Sequence, residues 1–132
     1  MSEIRWLADR DIRLIHSRMI ADFGGADGVR DSGLLASAVM RPQNLSAYGE
    51  PTPADLAASL AYGIASNHPF VDGNKRSALV AADVFLQING WELTAGEAEA
   101  TVVFMDLAAG TLSEADLAVW FSANTGPYDP DR

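Results

Sequence analysis

Apolar residues recur at helical spacing along nearly the whole chain, and no alternating run has the length or the β-branched content of a strand. The spacing predicts six helices, over about 7–22, 32–40, 53–67, 73–89, 95–109 and 114–123. The predicted fold class is therefore all-α: a compact, single-domain helical bundle over residues 1–132. Its core is expected over about 7–123, and two prolines in residues 124–132 predict a frayed tail.

Helix-breaking residues set the predicted boundaries in the first half of the chain. Gly24 ends the first helix, and Pro42 is expected to stop the second. Three prolines and a glycine in residues 41–53 predict a loop or a short irregular hairpin. Thr52 and Asp55 then have the spacing of a capping box at the start of the third helix.

Capping signals also mark the fifth and sixth helices. Thr94 and Glu97 have capping-box spacing, and Ser113 with Asp116 is a looser version of the same signal. The fourth helix is apolar almost all round between residues 79 and 88, which predicts a buried central helix.

Composition excludes several classes of protein. The chain has 132 residues, of which 48% are hydrophobic and 20% charged, as in a single globular domain. Its formal net charge of −9 makes direct nucleic-acid binding improbable, because phosphate backbones need a basic surface. It contains no cysteine, no apolar run of membrane-spanning length and no apolar core of a signal peptide. We therefore expect a cytoplasmic protein without membrane association.

The candidate chemistry lies in residues 68–76, in the turn between the third and fourth helices. A helix N-terminus attracts anions, yet Lys75 and Arg76 add two cations there, where they oppose the helix dipole. Helix stability does not explain these charges, whereas a bound phosphate would. Gly73 would let the backbone approach such a ligand closely. Eight of the nine cations in the chain are arginine, and the single lysine is Lys75.

Two further side chains complete this constellation. The carboxylate of Asp72 would repel a phosphate unless both bound Mg²⁺, an ion that typically takes one or two carboxylates together with substrate phosphates. The imidazole of His68 could take the proton of an attacking hydroxyl. Each residue alone also fits ordinary turn chemistry, with His68 and Asp72 acting as capping or packing residues. Together they indicate nucleotide-dependent group transfer to a hydroxyl.

The stretch HPFVDGNKR at 68–76 closely resembles the active-site motif of the Fic/Doc family, in particular of its Doc (death-on-curing) branch. Residues 24–35 with 38–43 are similar to the upstream signature of that branch, and residues 85–90 to the end of its central helix. The resemblance covers roughly residues 10–122.

The resemblance implies a compact helical fold in which His68 is the general base and Asp72 binds Mg²⁺. ATP or another nucleoside triphosphate would be the co-substrate. The loop at about 44–52 would correspond to the flap, on which a target segment docks in extended form. The phosphate-binding start of the central helix would consist of Gly73, Asn74, Lys75 and Arg76.

Two departures from the wider family bear on the reaction. Adenylylating Fic proteins typically have a second glycine where this chain has Lys75, and a second arginine where it has Leu79. The Doc resemblance implies phosphoryl transfer to a Ser or Thr hydroxyl of a protein such as a translation elongation factor. It also implies a toxin that is neutralised by a separate antitoxin, whose C-terminal helix docks in a groove.

Two alternatives stay open at this point. One is protein adenylylation (AMPylation), as in the wider Fic family. The other is a catalytically idle binding module, although such a copy would be expected to lose His68 or Asp72. No inhibitory segment of the Fic type is found: its nearest match, Ser46 to Glu50, is followed by Pro51.

Overall fold

The computed structural model describes residues 3–131, so residues 1, 2 and 132 of the predicted domain lie outside the described residues. The all-α prediction is confirmed, because the described chain forms six helices and only two short strands. The elements are α1 (Asp9–Phe23), α2 (Ser32–Ala47), α3 (Pro53–Asn67), α4 (Asn74–Ile88), β1 (Trp91–Leu93), α5 (Glu97–Ala108), α6 (Glu114–Ala123) and β2 (Thr125–Pro127).

The central helix is α3, not α4 as the sequence predicted. Ten of the fifteen residues of α3 are buried, against six of the fifteen in α4. Most of the buried α3 residues are Ala, Ser or Gly, and these small side chains let α2, α4, α5 and α6 all pack against it. A Cβ on Gly63, for example, would lie 3.1 Å from the Cα of Ala38 on α2.

The prediction that Pro42 stops the second helix is wrong, since α2 continues to Ala47. Pro42 removes one backbone hydrogen bond but buries its ring in the core, so burial offsets part of the helix penalty. The adjacent Arg41 holds this stretch in place by donating to the carbonyl of Ser59 and pairing with Glu114 of α6. The predicted 41–53 loop is reduced to residues 48–52, and 44–47 of the predicted flap are helical.

The capping predictions are confirmed at two helices and wrong at a third. The Thr52 hydroxyl accepts from the backbone of Asp55, whose carboxylate accepts from the backbone of Thr52 in return. Ser113 accepts from the backbone N–H of Asp116. At α5 the N-cap is Gly96, two residues after Thr94, and no side chain caps the helix.

The predicted frayed tail is wrong for residues 125–127, which form β2. This strand pairs antiparallel with β1, with Glu92 opposite Gly126, and the N–H of Tyr128 extends the pairing to the carbonyl of Gly90. Three-residue strands are too short to show the alternation that identifies a strand in sequence. Among residues 3–131, no helix is long and apolar enough to cross a membrane.

Because α3 and α4 form a helical hairpin, its two ends are separate regions of the molecule. The turn 68–73 joins the helices at one end. The loop 48–52 precedes α3 and lies at the other end, where it lines a groove together with the last turn of α4. The ends are about 22 Å apart, the length of a fifteen-residue helix.

Candidate active site

The turn 68–73 begins and ends in left-handed backbone conformations. Gly73, the N-cap of α4, has φ 76° and ψ 16°, a region open to glycine. His68, the C-cap of α3, has φ 48° and ψ 56°. Among residues 3–131, His68 is the one non-glycine residue with a positive φ. Such conformations cost free energy and persist where surrounding contacts impose them.

The contacts that hold the turn in this conformation come from residues 28–31, in the loop between α1 and α2. The backbone N–H groups of Arg30 and Asp31 donate to the carbonyl of Pro69, at 2.7 and 3.1 Å. The N–H of Val71 donates to the carbonyl of Gly28 at 3.0 Å. The loop 28–31 therefore runs along the turn as a short antiparallel partner.

The side chain of Arg30 adds two more bonds at the end of α3. Its Nε donates to the carbonyl of His68 at 2.7 Å, and a terminal nitrogen donates to the carbonyl of Asn67 at 2.8 Å. Carbonyls at a helix C-terminus lack partners within the helix and carry partial negative charge, so a guanidinium suits this position.

The imidazole of His68 itself is exposed. Its backbone is held on both sides, because its N–H donates to the carbonyl of Ile64 and its carbonyl accepts from Arg30. Within the described chain, no hydrogen bond or ion pair engages its ring. The imidazole is thus open to solvent while the backbone that carries it is held in place.

The carboxylate of Asp72 lies against the turn at the end of α1. Its Oδ1 accepts from the N–H of Gly73 at 2.9 Å, and its Oδ2 accepts from the N–H of Ala26 at 3.3 Å. A Cβ on Gly25 would stand 2.8 Å from Oδ2, so the glycine permits this close approach. Each carboxylate oxygen keeps a second lone pair for a metal ion.

The second histidine, His16 of α1, packs against the inner side of the same turn and is only 2% exposed. Its Nε2 lies 2.7 Å from the carbonyl oxygen of Asp72, and since a carbonyl only accepts, Nε2 carries the proton. Its ring stacks on that of the buried Phe70, with centroids 3.8 Å apart and planes 3° from parallel.

The first residues of α4 divide into a structural and an exposed group. The side-chain amide of Asn74 both accepts from and donates to the backbone of Phe70, at 2.9 Å each, so it closes the turn. Only its backbone N–H remains for a phosphate, since the first N–H groups of a helix lack helical partners. Lys75 and Arg76 are exposed, as a phosphate site requires.

The two cations differ in what holds them. The guanidinium carbon of Arg76 lies 3.9 Å from the ring centroid of Phe23, a cation–π contact that keeps it beside the start of α4. No hydrogen bond, ion pair or ring contact within the described chain engages Lys75. A free ammonium at a helix N-terminus is available to an incoming anion.

The donor set suits a metal ion carried by the nucleotide rather than one held by the protein alone. Among residues 3–131, no group of three or more His, Cys, Asp or Glu side chains could hold a metal. Asp72 offers one carboxylate next to the anion site. That matches Mg²⁺ bound through one carboxylate plus substrate phosphates and water.

A groove of about 1460 Å³ lies at the opposite end of the hairpin. Its lining includes Glu3, Ile4, Gly49, Pro51, Ile88 and Trp91. None of the residues 68–76, which form the turn and the start of α4, borders this groove. Gly49, Glu50 and Pro51 of the predicted flap line this groove, whereas the loop that neighbours the turn is 28–31.

Sequence reasoning missed the supporting residues His16, Phe23 and Arg30. A signal existed for His16, which falls four residues after the buried Ile12 and so lies on the apolar face of α1. The roles of Phe23 and Arg30 depend on contacts with residues 53 and 38 positions further along the chain, which no local pattern reveals.

Comparison with known proteins gives an independent result. The model of the Fic/DOC family matches residues 6–86. The chain is 53% identical over 76 residues to Toxin Doc of Mycolicibacterium smegmatis, a match that covers 55% of this chain and 58% of that protein. It is 33% identical over 88 residues to the Protein kinase doc of Escherichia phage P1, covering 66% of this chain and 70% of that one. The match thus spans less than two thirds of the mycobacterial relative.

Proposed function

The chain belongs to the Fic/Doc family, and from that premise we propose that it is a Doc-like toxin with phosphotransferase activity. It transfers a phosphoryl group from ATP or another nucleoside triphosphate to a Ser or Thr hydroxyl of a target protein. The observation that carries the proposal is the position of His68, Asp72 and the free Lys75 in and beside one turn, next to the unpaired N–H groups of α4.

The start of α4 supports binding of the phosphates. Unpaired N–H groups, the helix dipole and two exposed cations all favour negative charge at this point. The left-handed Gly73 leaves the backbone without a Cβ where the phosphate oxygens approach. Charges fixed around the transferred group are the main source of rate in phosphoryl transfer, so the same groups would serve binding and catalysis.

His68 supports the role of general base. As the new bond forms between the target oxygen and the γ-phosphorus, the hydroxyl proton passes to the imidazole. The bond between the γ-phosphorus and the bridging oxygen breaks, and the nucleoside diphosphate leaves with that oxygen. The exposure of the imidazole and the hydrogen bond that holds its backbone support this role.

Asp72 would hold Mg²⁺ together with the phosphates. When bound, this ion neutralises charge that develops between the β- and γ-phosphates. The hydrogen bonds from Gly73 and Ala26 keep the carboxylate beside the start of α4, so that it is oriented before the nucleotide arrives.

Two residues favour phosphoryl over nucleotidyl transfer. Lys75 fills with a charged side chain the space that a second glycine leaves open in adenylylating relatives. Leu79, at the position of their second arginine, is half-buried and packs against the core. An arginine in that place would lose the apolar contacts of Leu79, so the helix is built without that phosphate ligand.

The partners of the toxin follow from the same family. The name of the mycobacterial relative supports a cognate antitoxin for this chain. We propose that its C-terminal helix docks in a groove, and that the modified protein is a component of translation such as an elongation factor.

Labelled ATP distinguishes the possible reactions. The chain is incubated with bacterial lysate and ATP labelled at either the γ- or the α-phosphate, with His68→Ala as the inactive control. Label on protein from the γ position alone, and only with wild type, is the expected result. Label from the α position would establish adenylylation instead, and no transfer from either would indicate an idle binding module.

A further inference from the structure

We propose that Arg30 is a positioning residue, which holds His68 in the left-handed conformation that presents its imidazole to the substrate. The proposal rests on the proposed function, in which His68 is the base. Arg30 does not touch the reacting atoms in this scheme. It acts through the backbone of the residue that does.

The hydrogen bonds of Arg30 converge on the backbone on either side of His68. Its side chain binds the carbonyls of Asn67 and His68, and its own N–H binds the carbonyl of Pro69. Three consecutive carbonyls are therefore fixed by one residue. A planar guanidinium can bind two neighbouring oxygens at once, which an ammonium group cannot do with the same geometry.

The strained conformation of His68 explains why a clamp is needed. A left-handed conformation is uncommon for a residue with a Cβ, and the chain uses it at this one non-glycine position within residues 3–131. Helices usually end this way on glycine. A histidine in that place costs stability but places an imidazole at the end of α3. The hydrogen bonds from Arg30 offset part of that cost.

Exposure makes Arg30 testable, because its replacement leaves no cavity. Its side chain lies at the surface, whereas His16, which supports the turn 68–73 at Asp72, is buried. We expect the melting temperature of Arg30→Ala to remain within a few degrees of wild type. The matched control is Arg18→Ala, which removes another exposed arginine whose partner, Asp22, lies on the same helix.

The first measurement is amide hydrogen exchange, which needs no enzymatic activity. The N–H of His68 is bonded to the carbonyl of Ile64. In Arg30→Ala its exchange should accelerate about tenfold, as expected from the loss of charge-assisted hydrogen bonds. Arg30→Lys should fall between the two, and Arg18→Ala should match wild type. Unchanged exchange at His68 in Arg30→Ala would overturn the proposal.

The second measurement separates positioning from ligand binding. In Arg30→Ala, kcat should fall about tenfold or more, because a small misplacement of the base is costly, while the Kd for Mg²⁺–ATP stays unchanged. In the His68→Ala background the same substitution should have no further effect on kcat. A weakened Kd with kcat intact would make Arg30 a phosphate ligand, and additive losses would show that it does not act through His68. Either result would overturn the proposal.

The two measurements also distinguish this proposal from the function on which it rests. If exchange accelerates in Arg30→Ala but the wild-type chain transfers no phosphoryl group, the clamp on His68 stands and the proposed function fails. If the wild-type chain is active and Arg30→Ala alters neither exchange nor kcat, the proposed function stands and the positioning role fails.

Discussion

The two ends of the α3–α4 hairpin differ in how firmly their connecting segments are held. At one end, the backbone of the turn 68–73 is bound by residues from three separate parts of the chain: His16, the loop 28–31 and Asn74. At the other end, Tyr48 is 92% exposed, and within residues 3–131 its backbone bonds only to Leu45 in the last turn of α2. Within the described chain, no hydrogen bond joins residues 49–51 to the rest of the molecule.

Because of this difference, the groove and the candidate catalytic side chains lie at opposite ends of the hairpin. The groove of about 1460 Å³ borders the loosely held end, whereas the cations, the carboxylate and the exposed imidazole are at the firmly held end. A groove alone offers surface to a partner. Group transfer needs side chains fixed to within a fraction of an ångström, and the hydrogen bonds to the turn 68–73 provide that constraint. We therefore expect substitutions at the firmly held end to change group transfer, and substitutions at the loosely held end to leave it unchanged.

The largest expected effect, at the firmly held end, is that of His68→Ala. Removal of the proposed general base should lower the transfer rate by a factor of roughly 10²–10⁴. The imidazole is exposed, so the melting temperature should change little, and alanine keeps the Cβ at the left-handed position. Rates are measured with γ-labelled ATP beside thermal unfolding. Transfer at a near wild-type rate would refute the assignment of His68 as the base.

Lys75→Gly tests the choice of reaction at the same end. It should lower γ-phosphoryl transfer on the order of 10²-fold, because it removes a charge beside the transferred group. The cost in stability should be about 1 kcal/mol or less, since Lys75 lies in the first turn of α4. Lys75→Arg is the control that keeps the charge and should lose less. Intact transfer in Lys75→Gly would remove the reason to prefer phosphoryl transfer.

Asp72→Asn tests the proposed magnesium site. The neutral amide is a poorer ligand for a hard cation, so the gain in nucleotide affinity on adding Mg²⁺ should shrink markedly. Affinity is measured by titration of ATP with and without Mg²⁺ in both proteins. An equal Mg²⁺ dependence in the two would restrict Asp72 to its hydrogen bonds with Gly73 and Ala26.

Asp83→Asn should have the smallest effect, and on stability rather than transfer. Burial raises the pKa of this carboxyl above 3.8, against the lowering effect of bonds to Gln87 and the backbone of Leu93. Because the folded state favours the protonated form, this stabilisation is fully present below the unfolded value of 3.8 and is lost as the pH rises through the folded pKa. Asparagine should therefore stabilise the protein by about 0.5 kcal/mol at neutral pH.

The pH dependence of the stabilisation by Asp83→Asn tests its cause. The gain from Asp83→Asn should disappear as the pH falls below the unfolded value of 3.8, where both states of the wild type are protonated. Unfolding in urea at several pH values measures it. A gain that persists at low pH would show that the ionised carboxylate is not its cause.

Local patterns predicted most of the fold because helices depend on neighbours in sequence. The capping residues Thr52 and Ser113 act three positions away, and both were predictable. Pro42 inside α2 was not, because its tolerance depends on burial against other helices. The pairing of β1 with β2 joins residues more than thirty positions apart, such as Trp91 and Pro127.

The candidate site divides in the same way. The motif predicts which residues form it, and the predicted helix boundaries place Lys75 and Arg76 at the start of α4, where the structure has them. Sequence could not show that the amide of Asn74 is already hydrogen-bonded to the backbone of Phe70. The same motif is compatible with an Asn74 side chain that closes the turn and with one that binds a ligand. Nor could it show Arg30 behind His68, which requires the folded loop.

The most direct test of the account is to ask at which end of the hairpin nucleotide binds. A non-hydrolysable ATP analogue with Mg²⁺ is titrated into the isotopically labelled chain, and backbone amide chemical shifts are followed. The account predicts that the amides of Gly73, Asn74 and Lys75 shift with one shared binding constant, while those of the groove residues Gly49 and Glu50 do not move. Shifts confined to the groove residues, with the start of α4 unchanged, would contradict it.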